Sequence, residues 1–283
     1  DYQFDPQHFH GPLLSLSSQP IARSRSENSW SELSTTTLRL GSVIAGLLVV
    51  FTPLLWRRSI GSWGALAAAA LLASSPLMVY YNRMYIHESL LTLLAMLACA
   101  AVFRLSQQPS RRIGIAAGLC IGLMFATKET FAISILAWLP AAGLCCWTQQ
   151  TNDARQLCPN LRLYLLPSVF LAITAAFTAA YFYSDGFRSM QGIIDAVRTY
   201  LVYETTAGHE KGMGYYFELL LWPKQQLGIW WTEALIGLLA LLAIAFAVVK
   251  RVLNPGVIFL AVATVCHVII YSCIGYKTPW LMM

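Results

Sequence analysis

The sequence predicts an all-α fold, a polytopic transmembrane helical bundle with about eight spans in 283 residues. Three observations carry this. The chain is 57% hydrophobic and 11% charged, whereas a soluble domain carries about 25% charged residues. Its apolar residues form runs long enough to cross a bilayer, which takes about 20 residues per helix. Its basic residues collect in alternate connections between those runs, as an oriented membrane chain requires.

In chain order, 1–37 reads as a partial first outer loop and 38–283 as the transmembrane domain. Within the first segment, an interfacial helix is expected around 27–37. Spans follow at 38–56, 62–81, 87–105, 112–127, 130–148, 162–183, 228–249 and 254–275, with an outer loop at 184–227. The fourth span is short, which places Lys128 and Glu129 in a turn near the interface.

Orientation comes from Arg57, Arg58, Arg104, Arg111, Arg112, Arg155, Arg162, Lys250 and Arg251, nine of the 19 Lys and Arg. They fill the connections after spans one, three, five and seven, which the positive-inside rule makes cytoplasmic. Of the 13 Asp and Glu, only Asp153 falls on that side. Acidic residues do not set topology, so their skew points to a carboxylate-rich working face turned outward. The net charge of +6 records orientation, and no nucleic-acid partner is expected.

Cys99, Cys120, Cys145, Cys146, Cys266 and Cys273 lie in apolar runs, where Cys acts as a small hydrophobe. Only Cys158 is in polar sequence, so no disulfide framework is predicted. There is no Gly-rich phosphate loop and no nucleophile elbow. The sequence shows no signal-peptide pattern and is expected to be a piece of a longer protein.

Four outward-facing constellations carry the chemistry. The first is Tyr80-Tyr81-Asn82-Arg83-Met84-Tyr85-Ile86-His87-Glu88, between spans two and three. Ionisable groups at a membrane interface are costly unless used or paired. Either Arg83 pairs with Glu88 under an aromatic belt, or Arg83 grips a phosphate through its planar fork. In the second case Glu88 or His87 orients a neighbour or exchanges a proton. The second constellation, Thr127-Lys128-Glu129-Thr130, is either a hairpin turn with a snorkelling Lys128 or a cation and a carboxylate offered to the same cavity.

The third lies in 184–227, where Asp195 to Arg198 reads as an amphipathic helix on the membrane surface. There His209, Glu210 and Lys211 sit among Gly208, Gly212 and Gly214, as a solvated charge run or a ligand contact. The last is Tyr276-Lys277-Thr278-Pro279-Trp280, an interface anchor or a further phosphate cation at Lys277. His267, mid-span, reads as a packed, hydrogen-bonded side chain. His8 and His10 leave a divalent metal as a minor option, because spacing fixes no further ligand.

The stretches DYQFDPQHFHGPLL, SPLMVYYNRMYIHESL, GLMFATKET, GHEKGMGYYFELL and YKTPWLMM, in this order, carry a resemblance to a known group. The chain resembles the polytopic GT-C glycosyltransferases, which include protein O-mannosyltransferases and lipid A aminoarabinose transferase. Within them it is most similar to the flippase-activity-associated branch of archaeal-type N-glycosylation. The resemblance implies a GT-C-like helical transferase working on the outer face of the membrane. It implies a polyprenyl- or dolichyl-phosphate sugar donor, and a protein, lipid or glycan acceptor. An acidic residue of the first outer loop would act as base or position the acceptor, and the best-known acidic pair of that loop would lie upstream of Asp1.

The residues themselves support the same chemistry. Inverting transfer needs a carboxylate to take the acceptor's proton and cations to hold charge developing on the departing phosphate. Asp5, Glu88 and Glu129 are the candidate catalytic carboxylates. Candidate substrate-binding residues are His10, Arg83, His87, Lys128, His209, Glu210 and Lys277. Arg83, Lys128 and Lys277 would meet phosphate, with His10 and His209 near the sugar or acceptor. The alternatives are a lipid-linked sugar flippase or transporter component, and a non-catalytic subunit of glycan assembly. A transporter would place charges near the midplane, where this sequence has His267 alone.

Overall fold

The computed structural model describes residues 4–7, 10–152, 161–202, 208–226, 229–251 and 254–283. In chain order its helices begin with α1 (Leu13–Ser24), α2 (Thr35–Phe51), α3 (Arg57–Ser74) and α4 (Pro76–Tyr81). Next come α5 (His87–Gln107), α6 (Arg111–Thr127), α7 (Phe131–Asn152) and α8 (Leu161–Tyr183). Helices α9 (Gln191–Val202), α10 (Tyr215–Leu221), α11 (Ala234–Val249) and α12 (Pro255–Cys273) complete the set. Among the described residues the fold is all-α apart from one small antiparallel ribbon, β1 (Lys224–Gln226) against β2 (Ile229–Trp231).

Among the described residues, four apolar stretches are long enough to cross a membrane: Thr35–Ser74, His87–Gln107, Arg162–Tyr183 and Pro255–Cys273. Phe131–Cys145 and Ala234–Val249 are shorter apolar helices. Helix α11 has no buried residue and exposes Leu235, Leu238, Leu241, Leu242 and Phe246. A helix apolar all round is stable against hydrocarbon and not against water. These helices make the chain an integral membrane protein.

The chain divides into two compact units: 1–49 with 81–132 and 160–205, and 50–80 with 133–159 and 206–283. In the first, α6 is packed against α5 and α8. Gly114, Gly118 and Gly122 recur every fourth residue, so they share one face of α6. A Cβ there would lie 2.3, 2.3 and 2.6 Å from the carbonyl oxygens of Pro167, Leu171 and Ala175. Only glycine admits that approach, and close backbone packing is what holds helices together where lipid removes the hydrophobic drive.

The N-terminal segment crosses the C-terminal end of α6. A Cβ on Gly11 would fall 2.2 Å from the Ala126 carbonyl oxygen, and Phe4, Ala126, Tyr183 and Ala196 form one apolar cluster beside it. Beyond Pro12, α1 buries Leu14, Ser18 and Ala22, one residue per turn. A helix therefore lies at 13–24, whereas over 27–34 the chain forms only a single 3-10 turn at Trp30–Glu32 before α2 opens at Thr35. In 27–34, Glu32 accepts from the amides of Asn28 and Ser29, and Glu27 from that of Ser34. Side chains that take up local amides in this way compete with helix formation.

In the second unit, the predicted span 62–81 is two helices. Ser75 is extended (φ −61°, ψ 118°), as expected of a residue before proline, and Pro76 opens α4. The buried Glu233 carboxylate accepts from Ser75 Oγ and the Leu77 amide, each at 2.7 Å, and so caps α4. Arg57 and Arg58 lie within helix, and the backbone breaks at Gly61 (φ 76°, ψ 164°), a conformation glycine adopts readily. Asn254 caps α12 by accepting from the amides of Gly256 and Val257, with Pro255 at the first helical position.

Candidate functional site

In the first unit, polar side chains gather where α5 begins and α6 ends. Helix α6 stops at Thr127 because Lys128 and the residues after it turn the chain into α7. His87 and Glu88 open α5. Lys128 Nζ donates to Glu88 Oε1 at 2.5 Å, and the two side chains are 5% and 6% exposed. A pair this deep is tolerable because each ion neutralises the other.

Glu129 belongs to a different partnership. Its Oε2 lies 3.0 Å from His10 Nδ1, with side-chain exposures of 18% for Glu129 and 23% for His10. The tautomer protonated on Nδ1 donates to the carboxylate and leaves the imidazole lone pair on Nε2. The His10 ring stands edge-on to His87, centroids 5.0 Å apart. Tyr200 OH, from α9, donates to the Glu129 backbone oxygen at 3.2 Å. Burial pushes the Glu129 carboxyl up, but the hydrogen bond and charge of His10, with Lys128 nearby, outweigh it and hold the group below its ordinary value.

The side-chain oxygens of Asn82, Ser89 and Thr130 are buried with no hydrogen-bond partner. Ser89 follows Glu88 in sequence, Thr130 follows Glu129, and Asn82 lies in the turn before α5 with its side chain against Gly46. Buried polar atoms without partners are few in native proteins.

His10, His87, Glu88, Lys128 and Glu129 are thus brought together. Arg83 is not paired with Glu88: it is exposed in the turn before α5 and forms no ion pair among the described residues. Asp5 lines a separate cleft of about 610 Å³ with Gln191, Asp195 and Arg198, and its Oδ1 accepts from the Gln7 amide. His8 lies outside the described residues. Among those described, no three His, Cys, Asp or Glu side chains gather as metal ligands would.

In the second unit, the segment carrying His209 and Glu210 meets the one carrying Lys277. Glu210 and Tyr276 form an antiparallel bridge, flanked by Lys277 N to His209 O at 2.9 Å and Lys211 N to Gly275 O at 3.1 Å. Glu210 is exposed, and the His209 ring packs edge-on to Tyr276 at 5.3 Å. Lys277 is buried. His267 Nδ1 donates to Ala263 O, and its Nε2 lies 3.3 Å from Ser134 Oγ, the packed arrangement expected of it.

Three contributors have no place among the sequence-predicted site residues. Tyr200 reaches Glu129 across 71 positions, with no local signal. The glycine seam that supports α6 is visible as a four-residue repeat. Glu233 was detectable as a lone acid opening an apolar run.

A bundle of exposed apolar helices with its ionisable groups at helix ends defines a polytopic membrane protein. Residues 31–177, more than half of the chain, match the dolichyl-phosphate-mannose-protein mannosyltransferase family. The chain belongs to that family, and through it to the GT-C superfamily of membrane glycosyltransferases that draw on a polyprenyl-phosphate sugar donor. No curated protein and no solved structure matches the chain.

Proposed function

We propose that the protein transfers a sugar from a polyprenyl-phosphate carrier to an acceptor at the non-cytoplasmic face, as in the flippase-activity-associated branch. The observation that carries this is the contact between His10 and Glu129. A carboxylate on one imidazole nitrogen fixes the tautomer and strengthens the other nitrogen as a base, the division of labour familiar from His–Asp pairs. His10 Nε2 would take the proton from the acceptor hydroxyl as the sugar–phosphate bond breaks, and Glu129 would stabilise the imidazolium formed. Glu88 and Lys128 neutralise each other and act as positioning residues, fixing the start of α5 against the end of α6. His87 packs beside the base, and Arg83 is an accessible cation for the phosphate. Asn82, Ser89 and Thr130 offer unused polar atoms to the sugar. Asp5, in its own cleft, falls to an acceptor-side role.

The test is reconstitution of the full-length protein with dolichyl-phosphate-[³H]mannose and a hydroxyl-bearing acceptor extract. Appearance of free dolichyl phosphate, lost in Glu129→Ala, supports transfer. Label that changes leaflet with its phosphate bond intact contradicts it and assigns a flippase.

A further inference from the structure

The second unit separates its charges along its length. Helix α11 runs from Ala234 to Val249, and α12 returns from Pro255 to Cys273. Among the described residues, the acids of this unit are Glu210, Glu218 and Glu233, and all three sit at one end. Glu233 precedes α11, and its amide donates to the Leu220 oxygen of α10, the short helix that carries Glu218. Glu210 is bridged to Tyr276, just past the end of α12.

The opposite end holds four cations and no acid among the described residues. Lys250 and Arg251 follow α11 directly, their amides donating to the oxygens of Phe246 and Val248. Arg251 takes the left-handed conformation (φ 48°), a helix-ending turn more often made by glycine. Pro255 opens α12 four residues later, so Arg251 lies within about 14 Å of it even at full extension. The start of α3 packs on the start of α12. The Trp56 ring stacks on Phe259 with centroids 6.1 Å apart, and a Cβ on Gly256 would fall 2.1 Å from Ser59 Oγ. Arg57 and Arg58 lie in sequence between those two contacts. All four cations are exposed and form no ion pair among the described residues. Like charges gathered in this way repel one another until an anion joins them.

The surroundings say which anion. Helix α11 buries no residue, and Val248 and Val249, beside Lys250, are 71% and 76% exposed. A helix apolar to its last turn lies against hydrocarbon, so Lys250 and Arg251 emerge at the level of the lipid headgroups. Basic clusters at that level attract anionic lipids.

We infer that Arg57, Arg58, Lys250 and Arg251 form a docking surface for an anionic phospholipid, with its headgroup on the two basic pairs and its acyl chains along α11. The surface uses no residue of the first unit and does not depend on the transferase reading. A cation near an anionic surface is worth roughly fivefold in affinity, and a pair therefore on the order of 20-fold.

Native mass spectrometry of the purified full-length protein tests this, by titration with palmitoyl-oleoyl phosphatidylglycerol and with the phosphatidylcholine of the same chains. Phosphatidylglycerol should bind at least about tenfold more tightly, since only its headgroup carries a net charge. Lys250→Gln/Arg251→Gln and Arg57→Gln/Arg58→Gln should each remove most of that preference and leave phosphatidylcholine binding as it is. Arg39→Gln, which neutralises an exposed cation of the first unit, should keep it. Equal affinity for the two lipids, or native preference in both double variants, overturns the surface. So does an equal loss in Arg39→Gln, which would make overall charge the cause. Should one double variant fail to fold, the other decides, and Lys250→Arg/Arg251→Lys, which keeps both charges, should bind as the native chain does. A hexaglutamate peptide that binds where phosphatidylglycerol does not would make the partner an acidic protein segment and end the lipid assignment.

Discussion

Lys128 Nζ sits 2.5 Å from Glu88 Oε1, and the pair joins the end of α6 to the start of α5 in a place shielded from water. Removing one partner leaves the other charged and buried, which costs about 3–5 kcal/mol. Glu88→Gln and Lys128→Met should each lower the unfolding temperature of the detergent-solubilised protein markedly. The double variant should recover much of that loss. Additive losses in this cycle would show that the two side chains are not coupled.

The glycine face of α6 makes a sharper structural prediction. Gly118→Val puts its Cβ 2.3 Å from the Leu171 carbonyl oxygen, far inside contact distance. Overpacking typically costs about 1–3 kcal/mol, and here the obstacle is backbone that cannot rotate away. Thermal unfolding should show a loss of that size. Ile115→Val, exposed on the same helix, should be near neutral.

Glu233 caps α4 through Ser75 Oγ and the Leu77 amide. Glu233→Ala strands both donors in a buried place and should cost about 1–3 kcal/mol. Glu233→Gln keeps an acceptor oxygen and should cost less. Equal losses in denaturation of the two variants would contradict the capping role.

Acid should weaken the His10–Glu129 contact in a defined direction. The Glu129 carboxyl is held below its ordinary value of 4.5 in the folded protein. Near that pH the unfolded chain therefore binds more protons than the native one, so stability falls as the pH is lowered. The contribution is present above pH 4.5 and is lost as pH drops below it through the native value. The native protein should melt above Glu129→Gln at pH 7, and the gap should close in acid. A gap that does not depend on pH would show that ionisation of Glu129 is not involved.

Much of the fold is legible in the chain because lipid imposes a coarse rule: long apolar runs become helices. Finer breaks needed particular residues. The Ser75–Pro76 step could be read from the proline, whereas the left-handed turn at Gly61 could not be told from a glycine inside a helix. Ion pairing misled for a physical reason. Arg83 lies five positions from Glu88, but the partner that reaches it is Lys128, 40 positions away and carried there by α5 packing on α6. Spacing reports neighbours along one helix and is silent across two. The same limit hid the bridge joining Glu210 to Tyr276 and the contact between His10 and Glu129, 119 positions apart.

The central claim is that His10 and Glu129 move a proton during sugar transfer, and steady-state kinetics of Glu129→Gln tests it most directly. Glutamine keeps the size and an acceptor oxygen but cannot stabilise an imidazolium. With dolichyl-phosphate-mannose as donor, kcat should fall about 10²–10⁴-fold, the usual worth of general acid–base catalysis, while KM changes little. A variant that keeps native kcat, or loses activity wholly through KM, would contradict the claim.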